Sequence, residues 1–463
     1  MIGRRDFMKA MAAGTLGGWL LRPAKARQHD KRPNILLILT DQQTATAMSC
    51  SGNRNLRTPA MDSLAAMGTR FNKAYVTQPL CLPCRSSLQT GRYPHEIGTI
   101  NNGTKMRGEF PMLGNLVAKA GYKCHYIGKW HVGTSLEAAG YPSGSNVGLD
   151  DKKAAAACEF LKQPHTQPFF LTVSLMNPHN VCQLARGQKL PDGPIGEPPT
   201  EPSRLPPLPP NFAVPAHEPS AIRKVQKSST VHYPTADWDE LKWRQYLWGY
   251  YRLVEKVDAE IARVLAALKT GGHANRTVIV FVSDHGEGVA MHHWNQKQIL
   301  YDQATRVPLI VAWPGVTRVQ VCEELVSTAL DIPVTILDLV GSAKPASMRG
   351  LSLRPIATGK QTTLNRQHVI AETMFARGGK SLGLIGRMVR TAQYKYCIYD
   401  NGENREQLFD MHADPGEMTN LAVMDAYQDQ LNHHRRLLTT WARETNDSAF
   451  PYIAPTARTG PPK

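Results

Sequence analysis

The chain has 463 residues and a formal net charge of +16, with 42% hydrophobic and 20% charged side chains. This composition is ordinary for a globular protein and excludes the disordered and fibrous classes. Positive charge favours encounters with anions, but zinc-finger spacings, RNP-like motifs and basic helices are missing, so we expect no nucleic-acid partner. No run of about 20 apolar residues follows the N-terminal segment, so an integral membrane protein is not expected.

The first 26 residues have the pattern of an export signal. The pair Arg4-Arg5 precedes a weakly apolar run from Ala10 to Leu21, and Ala24-Lys25-Ala26 matches an A-x-A cleavage site. Paired arginines of this kind are typical of twin-arginine signals, which export folded proteins. A chance basic N-terminus or a short membrane anchor are the alternatives. We expect residues 1–26 to be removed and the mature protein to be periplasmic or secreted.

Four mostly apolar runs are predicted to be buried strands of a parallel sheet, because they lack strict alternation of polar and apolar residues. They are Asn34 to Leu39, Lys123 to Ile127, Phe169 to Leu175 and Thr277 to Val282. Polar residues follow every one of these runs. Since ligands of open α/β sheets bind beyond the carboxyl ends of the strands, the four runs predict one shared active site.

A long helix is predicted from about Trp238 to Lys269, where apolar residues recur at three- and four-residue spacing. Its aromatic residues are expected to pack in the core. Residues 191–219 contain eleven prolines and are predicted to form an extended loop. This loop follows His179, so it borders the substrate cleft or is a plain surface connection.

The character of the sequence changes after Leu339. Strands are predicted within Met388 to Tyr399, and an amphipathic helix is predicted from Ala426 to Arg443. We therefore expect a catalytic domain over residues 27–375 and a smaller C-terminal α+β domain over residues 376–463.

The segment Cys81-Leu82-Pro83-Cys84-Arg85, followed by Thr90-Gly91-Arg92, carries the most specific signal. A C-x-P-x-R core with a T-G-R tail resembles the signature of type I sulfatases, in the alkaline phosphatase superfamily. In that family a formylglycine-generating maturation enzyme oxidises the first Cys, and the hydrated aldehyde attacks sulfur. The resemblance implies an α/β fold with a large mixed, mostly parallel sheet flanked by helices. It also implies that Cys81 is the nucleophile and that Arg85 stabilises the hydrated aldehyde.

Two further motifs extend the resemblance. Gly128-Lys129-Trp130-His131 is similar to the family's G-K-W-H, which implies that Lys129 holds the sulfate and the diol. By the same resemblance His131 takes the diol proton. Pro178-His179 is similar to the family's P-H, which implies that His179 contacts a sulfate oxygen.

Residues 283–308 are similar to the family's D-H-G followed by H, K, Y and R-V-P. The resemblance implies that His292 is the general acid for the leaving group and that Lys297 holds the bridging or an adjacent oxygen. His293 is the alternative to His292. The segment from Gln407 to Glu417 is similar to the family's closing segment, so the resemblance spans roughly residues 33 to 423.

The candidate metal ligands are Asp41, Gln42, Asp284 and His285, which follow two of the predicted strands. Oxygen-rich ligation favours Ca²⁺ or Mg²⁺ over zinc. In sulfatases that this chain resembles, the equivalent residues hold calcium that also contacts the formylglycine, which adds Cys81 to the set. For either aspartate taken alone, a helix N-cap is the alternative.

The expected substrate is a sulfate ester or sulfamate of a carbohydrate, with a glycosaminoglycan fragment favoured by the basic charge, the export signal and family habit. Aryl and choline sulfates stay open. His95, Asn101 and Asn102 follow the nucleophile segment and are candidate substrate contacts, with ordinary loop residues as the alternative. The oligomeric state is not predicted.

Three alternatives remain at this stage. Position 84 is usually a small residue in the family, so Cys84 also allows a redox C-x-x-C with Cys81. A thiol exchanger, however, has no use for Arg85 or for the T-G-R tail. The same nucleophile and metal would also serve a phosphomonoester, phosphodiester or phosphonate hydrolase. A sulfatase fold without chemistry would bind sulfated glycans.

Overall fold

A seven-stranded sheet lies at the centre of the computed structural model, which describes residues 32–145, 148–377 and 379–455. The predicted export signal at residues 1–26 lies outside these ranges. The strands of the central sheet are β1 (Asn34–Asp41), β2 (Gly68–Tyr75), β3 (Lys123–Gly128), β4 (Phe169–Pro178), β5 (Thr277–Ser283), β6 (Leu309–Ala312) and β7 (Gln320–Ser327).

The strand order is β3-β4-β1-β5-β6-β2-β7. Strands β3, β4, β1 and β5 are parallel to their neighbours, β6 is antiparallel to β5 and β2, and β2 is parallel to β7. The prediction of a mixed, mostly parallel sheet is therefore confirmed. The four strands predicted from the sequence are four consecutive strands of the sheet, so their carboxyl ends lie side by side.

Helices cover both faces of this sheet. The helices described in this part of the chain are α1 (Pro59–Ala65), α2 (Cys81–Thr90), α3 (Pro94–Ile97), α4 (Leu113–Lys119), α5 (Asp150–Lys162), α6 (Val181–Ala185), α7 (Ser220–Lys227), α8 (Glu240–Thr270), α9 (Asp302–Thr305), α10 (Thr328–Val340) and α11 (Arg354–Ala357). Side chains of a strand alternate between the two faces. Accordingly, Ile35 and Leu37 of β1 pack with α2, α4 and α10, whereas Leu36 and Ile38 pack with α1, α5 and α8.

Helix α8 confirms the long helix predicted from about Trp238 to Lys269. Asp239 caps it by accepting a hydrogen bond from the Lys242 amide. Its buried aromatics serve the core, as expected, and Tyr250 also reaches the end of β1, where its hydroxyl donates to the carbonyl of Gln42. The helix thus supports the loop that follows β1.

The proline-rich segment 191–219 contains only one short 3-10 turn, Pro202–Arg204, in agreement with the prediction of an extended loop. Asn211 donates to the carbonyl of Gly416, and Ala216 forms a bridge with Thr419. The loop therefore connects the central sheet with the C-terminal part of the chain.

A second, antiparallel sheet has the order β11-β10-β9-β8. Its strands are β8 (His368–Arg377), β9 (Lys380–Thr391), β10 (Tyr394–Tyr399) and β11 (Glu406–Asp410), and helices α12 (Gln428–Thr445) and α13 (Phe450–Ile453) follow. The strands and the helix predicted in this part of the chain are confirmed. The predicted domain boundary after residue 375 falls within β8, and the division itself stays a prediction. Within the described ranges, no helix combines the length and apolarity that a membrane crossing requires.

Candidate active site

Cys81 is the first residue of α2, and only 1% of its surface is exposed. Its Sγ lies 3.1 Å from His285 Nε2, 3.3 Å from Lys297 Nζ and 3.8 Å from Asp41 Oδ1. Burial alone would raise the pKa of this thiol, but Lys129 and Lys297 hold the pKa of Cys81 well below its ordinary value. The surroundings of Cys81 therefore stabilise negative charge at this position.

Arg85 lies one helical turn after Cys81 and joins two buried carboxylates. Its Nη2 donates to Asp41 Oδ2 at 2.9 Å, and its Nε donates to Asp284 Oδ2 at 2.7 Å. Its Nη1 donates to the Lys129 carbonyl and to Ser174 Oγ, both at 2.8 Å. Because a guanidinium is a rigid planar donor, Arg85 fixes the relative position of the two aspartates.

The remaining carboxylate oxygens converge with Cys81 on one point. Asp41 and Asp284 each use Oδ2 for Arg85, and the Oδ1 atoms lie 3.9 and 3.6 Å from His285 Nε2. Ligand atoms of these four residues all lie within 4.8 Å of one another. Burial and the neighbouring Asp41 raise the pKa of Asp284, so a cation bound at this point would favour the charged form of its carboxyl group. His285 Nδ1 contacts the Gly286 carbonyl at 2.9 Å, so Nε2 is left as the ligand atom.

Gln42 completes this set with an oxygen. Its side-chain Nε2 donates to Glu287 Oε2, whereas its Oε1 accepts from Lys297 Nζ at 2.8 Å. Glu287 also accepts from the hydroxyl of Tyr246 and the amide of Gln296. Two carboxylates, an amide oxygen and an imidazole suit a hard divalent cation, so the donor chemistry fits the predicted metal.

Two motif glycines are required by close packing at the strand ends. A Cβ on Gly128 would lie 2.0 Å from the Ser174 carbonyl, and one on Gly286 would lie 2.0 Å from the Gln303 carbonyl. Gly128 also has a φ of +103°, which side chains rarely tolerate. These contacts explain the glycine of G-K-W-H and that of D-H-G without any catalytic role.

Lys129 and His131 enter the site from the turn after β3. Lys129 Nζ lies 2.5 Å from Asp41 Oδ2. His131 lies beside Cys81 and helps to lower the pKa of its thiol. His131 Nδ1 is buried without a hydrogen-bond partner in the structure. A buried ring nitrogen without a partner is costly, which suits a residue that receives a ligand or a proton.

His179 follows β4 and also contacts Cys81. Burial, Lys297 and Lys129 lower the pKa of His179 to about 4. The charges of these two lysines therefore favour the neutral ring at neutral pH. An anion bound between these lysines would offset their charge and raise that pKa.

A cavity of about 160 Å³ opens beside these residues. Its lining includes two of the predicted catalytic residues, His179 and Lys297, and one of the predicted substrate contacts, Asn102. It also includes residues that sequence reasoning missed, namely Cys182, Arg186, His232 and Gln296. Glu287, behind Gln42, was missed as well. Its place two residues after Asp284-His285 is the one sequence signal that points to it.

His292 is not among the residues that line the cavity in the described part of the chain, and its role as the general acid stays a prediction. Its Nε2 lies 2.9 Å from the Gly416 carbonyl, its Nδ1 lies 2.9 Å from Gln303 Nε2, and its ring stacks on Tyr301 at 3.8 Å. Burial lowers its pKa to about 3. The alternative His293 is outside the described lining too and lies against two aromatic rings, those of Phe212 and Trp243.

His95 also lies away from the nucleophile. Its Nδ1 lies 2.6 Å from Glu372 Oε1, and its Nε2 lies 3.1 Å from the Thr445 carbonyl. It lines a separate cavity that also contains Arg387 and Asp447. His95 therefore ties α3 to the second sheet, and its role as a substrate contact stays a prediction.

The two asparagines differ in their positions. Asn102 Oδ1 accepts from the Leu82 amide at 3.0 Å, in the first turn of α2, and its side chain lines the active-site cavity. Asn101 instead points Nδ2 towards Met374 Sδ at 3.8 Å and is not among the described lining residues.

Cys84 is a free thiol, as are the other seven cysteines, all of which lie in the described ranges. Only 3% of its surface is exposed, and it packs in the apolar core beside α10. Burial and the nearby Asp284 raise its pKa far above the ordinary value. Arg85 and the two buried aspartates that it joins beside Cys81 have no role in thiol exchange, so the contacts of the site favour the sulfatase interpretation over the redox alternative.

Comparison with known families gives a consistent result. The sulfatase family model matches residues 33–342, and the model for the C-terminal region of N-sulphoglucosamine sulphohydrolase matches residues 290–443. The chain belongs to the sulfatase family. It is a hydrolase of sulfuric esters.

Two curated relatives come from Bacteroides thetaiotaomicron. A Delta 4,5-hexuronate-2-O-sulfatase is 32% identical over 448 residues, with 91% of each chain covered. An N-acetylglucosamine-6-O-sulfatase is 24% identical, with 91% of this chain and 88% of the relative covered.

Solved structures agree in fold. A 2-O GAG sulfatase superposes with a TM-score of 0.80 at 30% identity, covering 90% of this chain and 93% of the other. A phosphonate monoester hydrolase of Agrobacterium radiobacter superposes with a TM-score of 0.71 at 22% identity, covering 89% and 96%. At that identity the second comparison shows a shared fold alone.

Proposed function

We propose that this protein removes a sulfate ester from a hexuronate sugar of glycosaminoglycan origin, with residue 81 as the nucleophile in its formylglycine form. The observation that carries this proposal is the convergence of Asp41, Asp284, His285 and Lys297 on Cys81. The class of sugar is supported by the hexuronate 2-O-sulfatase that is 32% identical over nearly the whole chain. The glycosaminoglycan origin also agrees with the net positive charge.

The formylglycine, once hydrated, supplies one hydroxyl that attacks sulfur and a second whose proton loss expels sulfate and restores the aldehyde. The residues around Cys81 serve these two steps. Lys129 and Lys297 stabilise negative charge on the sulfate oxygens and on the diol. His131, with its unpartnered ring nitrogen, accepts the proton of the second hydroxyl.

His179 is the proposed proton donor to the leaving alcohol, in place of His292. It contacts Cys81 and lines the cavity, whereas both ring nitrogens of His292 are engaged elsewhere. A bound sulfate ester brings negative charge between Lys129 and Lys297. That charge raises the pKa of His179 and favours the protonated ring which donation requires.

The proposed resident metal is Ca²⁺, with Mg²⁺ as the alternative, held by Asp41, Gln42, Asp284 and His285. Residue 81 lies against the same point and would share the ion. When bound, the cation supplies positive charge that offsets the two buried carboxylates and the developing charge on sulfate. Arg85 and Glu287 hold the ligands in place from behind.

Two further proposals concern maturation and organisation. The first is that residues 1–26 direct export, so that the mature protein is periplasmic or secreted. N-terminal sequencing of the exported protein would locate the cleavage. The second is that residues 27–375 and 376–463 are separate domains, which limited proteolysis within residues 363–380 would test.

Sulfate release by ion chromatography tests the function directly. The protein is produced with a formylglycine-generating enzyme, and the substrates are defined 2-O-, 6-O- and N-sulfated disaccharides. Release from the 2-O-sulfated hexuronate, abolished in Cys81→Ala, is the expected result. Release from none of them, despite an aldehyde detected by mass spectrometry at residue 81, would refute the proposal.

The phosphoryl alternatives share this fold, as the phosphonate monoester hydrolase comparison illustrates. Matched aryl sulfate and aryl phosphate esters separate the two chemistries, because both have the same leaving group. Faster turnover of the sulfate is expected. Glycan binding by Cys81→Ala, with no turnover by the parent protein, would instead indicate a binding protein.

A further inference from the structure

The outer part of the active-site cavity has an unbalanced positive charge. Arg186, His232 and Lys297 line it, and no carboxylate is among its lining residues in the described part of the chain. Lys297 already donates hydrogen bonds to Gln42 Oε1 and Cys81 Sγ. Arg186 and His232 have no task in the chemistry described above.

Arg186 is held in place but left without an anionic partner. It directly follows α6, which begins two residues after His179, so a short helix fixes it relative to the nucleophile. Its Nε donates to the Val231 carbonyl at 3.0 Å, beside His232. No acid pairs with it among the described residues, and its two terminal nitrogens are free to donate.

His232 lines the same cavity next to Arg186. Burial and the charges of Arg186, Arg377 and Lys297 lower its pKa. Arg377 donates to Ser229 Oγ at 3.3 Å and likewise has no carboxylate partner in the described ranges. Arg186, Arg377 and Lys297 therefore all act on His232, and of these three only Lys297 contacts the nucleophile.

We propose that Arg186, with His232 beside it, binds a second anionic group of the substrate, the carboxylate of the hexuronate whose sulfate lies at residue 81. The proposal rests on the proposed function and names the residues that select this sugar. A guanidinium presents two parallel N–H donors that match a carboxylate. The fixed Nε contact with Val231 leaves the terminal nitrogens for that role.

Two matched disaccharides test the proposal, a 2-O-sulfated hexuronate compound and the same compound with its carboxylate reduced to a primary alcohol. The wild-type enzyme is expected to prefer the carboxylate by about 10-fold or more in kcat/KM. Arg186→Gln should lower kcat/KM for the carboxylate compound by about 10- to 100-fold, mainly through KM, and abolish the preference. Arg186→Lys keeps the positive charge but loses the two parallel N–H donors. Its kcat/KM for the carboxylate compound should therefore lie between those of the wild type and of Arg186→Gln.

Arg204→Gln is the matched control, because Arg204 is exposed, lies outside the cavity and, within the described part of the chain, forms an ion pair only with Glu201. This variant should have the wild-type kcat/KM for both disaccharides. Equal losses on both disaccharides in Arg186→Gln would overturn the proposal. So would a wild-type enzyme that does not distinguish them.

Calorimetric binding in the Cys81→Ala background separates this subsite from the proposed function, since it needs no turnover. One outcome is that the wild type releases no sulfate, while the double variant Cys81→Ala/Arg186→Gln binds the carboxylate compound about 10-fold more weakly than Cys81→Ala does. The proposed function then fails and the subsite stands. Equal affinities for the two disaccharides in this background would overturn the subsite.

Discussion

Glu287 accepts a hydrogen bond from Nε2 of Gln42, and this contact decides which end of the Gln42 amide faces the nucleophile. With the nitrogen directed at Glu287, the oxygen Oε1 is directed at Lys297 and the metal ligands. Glu287 touches neither Cys81 nor the cavity, so its role is to position Gln42. The amide oxygen can then serve as a ligand.

Replacing Glu287 should weaken metal binding. We expect Glu287→Ala to lower calcium affinity by about 10- to 100-fold, because outer partners orient metal ligands. The measurement is calorimetric titration of the metal-free protein, with calcium-dependent thermal shift as a second readout. Tyr246→Phe removes one hydrogen bond to Glu287 without changing Gln42 and is the matched control. An unchanged calcium affinity in Glu287→Ala would contradict the positioning role.

Arg85→Ala should destabilise the protein in a way that calcium partly reverses. Removing the guanidinium leaves Asp41 and Asp284 buried together without their shared partner, at a cost of about 3–5 kcal/mol in the free energy of unfolding. A bound cation offsets part of this repulsion. Denaturant unfolding with and without calcium measures both the destabilisation and its partial reversal by the cation. A loss that calcium does not reduce would argue against a metal at this point.

His179 and His292 should respond differently to substitution. His179→Ala should lower kcat by about 10²- to 10⁴-fold on sugar sulfates, as expected for lost proton donation. The loss should shrink on aryl sulfates with acidic leaving groups, because these need no proton. His292→Gln should affect stability instead, since the ring fills a buried site between Tyr301 and Gly416. A kinetic loss confined to His292→Gln would support the expectation from the sequence.

His95 should make stability depend on pH. Although burial alone would lower it, Glu372 raises the pKa of His95 above the value of about 6.5 for the unfolded chain. A raised pKa in the folded state means that the stabilisation is complete below about pH 6.5 and is lost as pH rises through the folded value. The nearby Asp447 adds to this effect and Arg387 opposes it.

Unfolding free energies measured at pH 6 and pH 9 check this dependence. His95→Asn keeps a polar group but does not titrate, so the part of the pH dependence that is due to His95 should disappear. Identical pH profiles for the variant and the wild type would show that the Glu372 contact contributes nothing measurable.

Much of the central sheet could be predicted from the sequence, because buried strands have local sequence patterns. Runs such as Val278 to Val282 are apolar on both faces, which identifies a strand covered by helices on each side. Polar residues directly beyond such strands must lie at one edge of the sheet. The residues that meet at Cys81, including Asp41, Lys129 and Asp284, were identified on this basis together with the family motifs.

His292 shows what a sequence motif leaves undetermined. Its position in the motif was correct, but a motif does not state where a side chain points. In the structure His292 has a φ of +54° and its amide donates to the carbonyl of Asn211, from the proline-rich loop. The contacts with Asn211 and Gly416 join parts of the chain far apart in sequence. No local pattern reports them.

The sequence by itself determined the strands, the nucleophile segment and the order of polar residues along the sheet edge, since burial and short-range spacing are encoded locally. Only the tertiary structure decided which of these residues share a cavity. Arg186, His232 and Lys297 come from three separate connections and meet because the helices and loops pack over one sheet edge. Electrostatic interactions between these side chains depend on the distances between them, and those distances are short only in the folded chain.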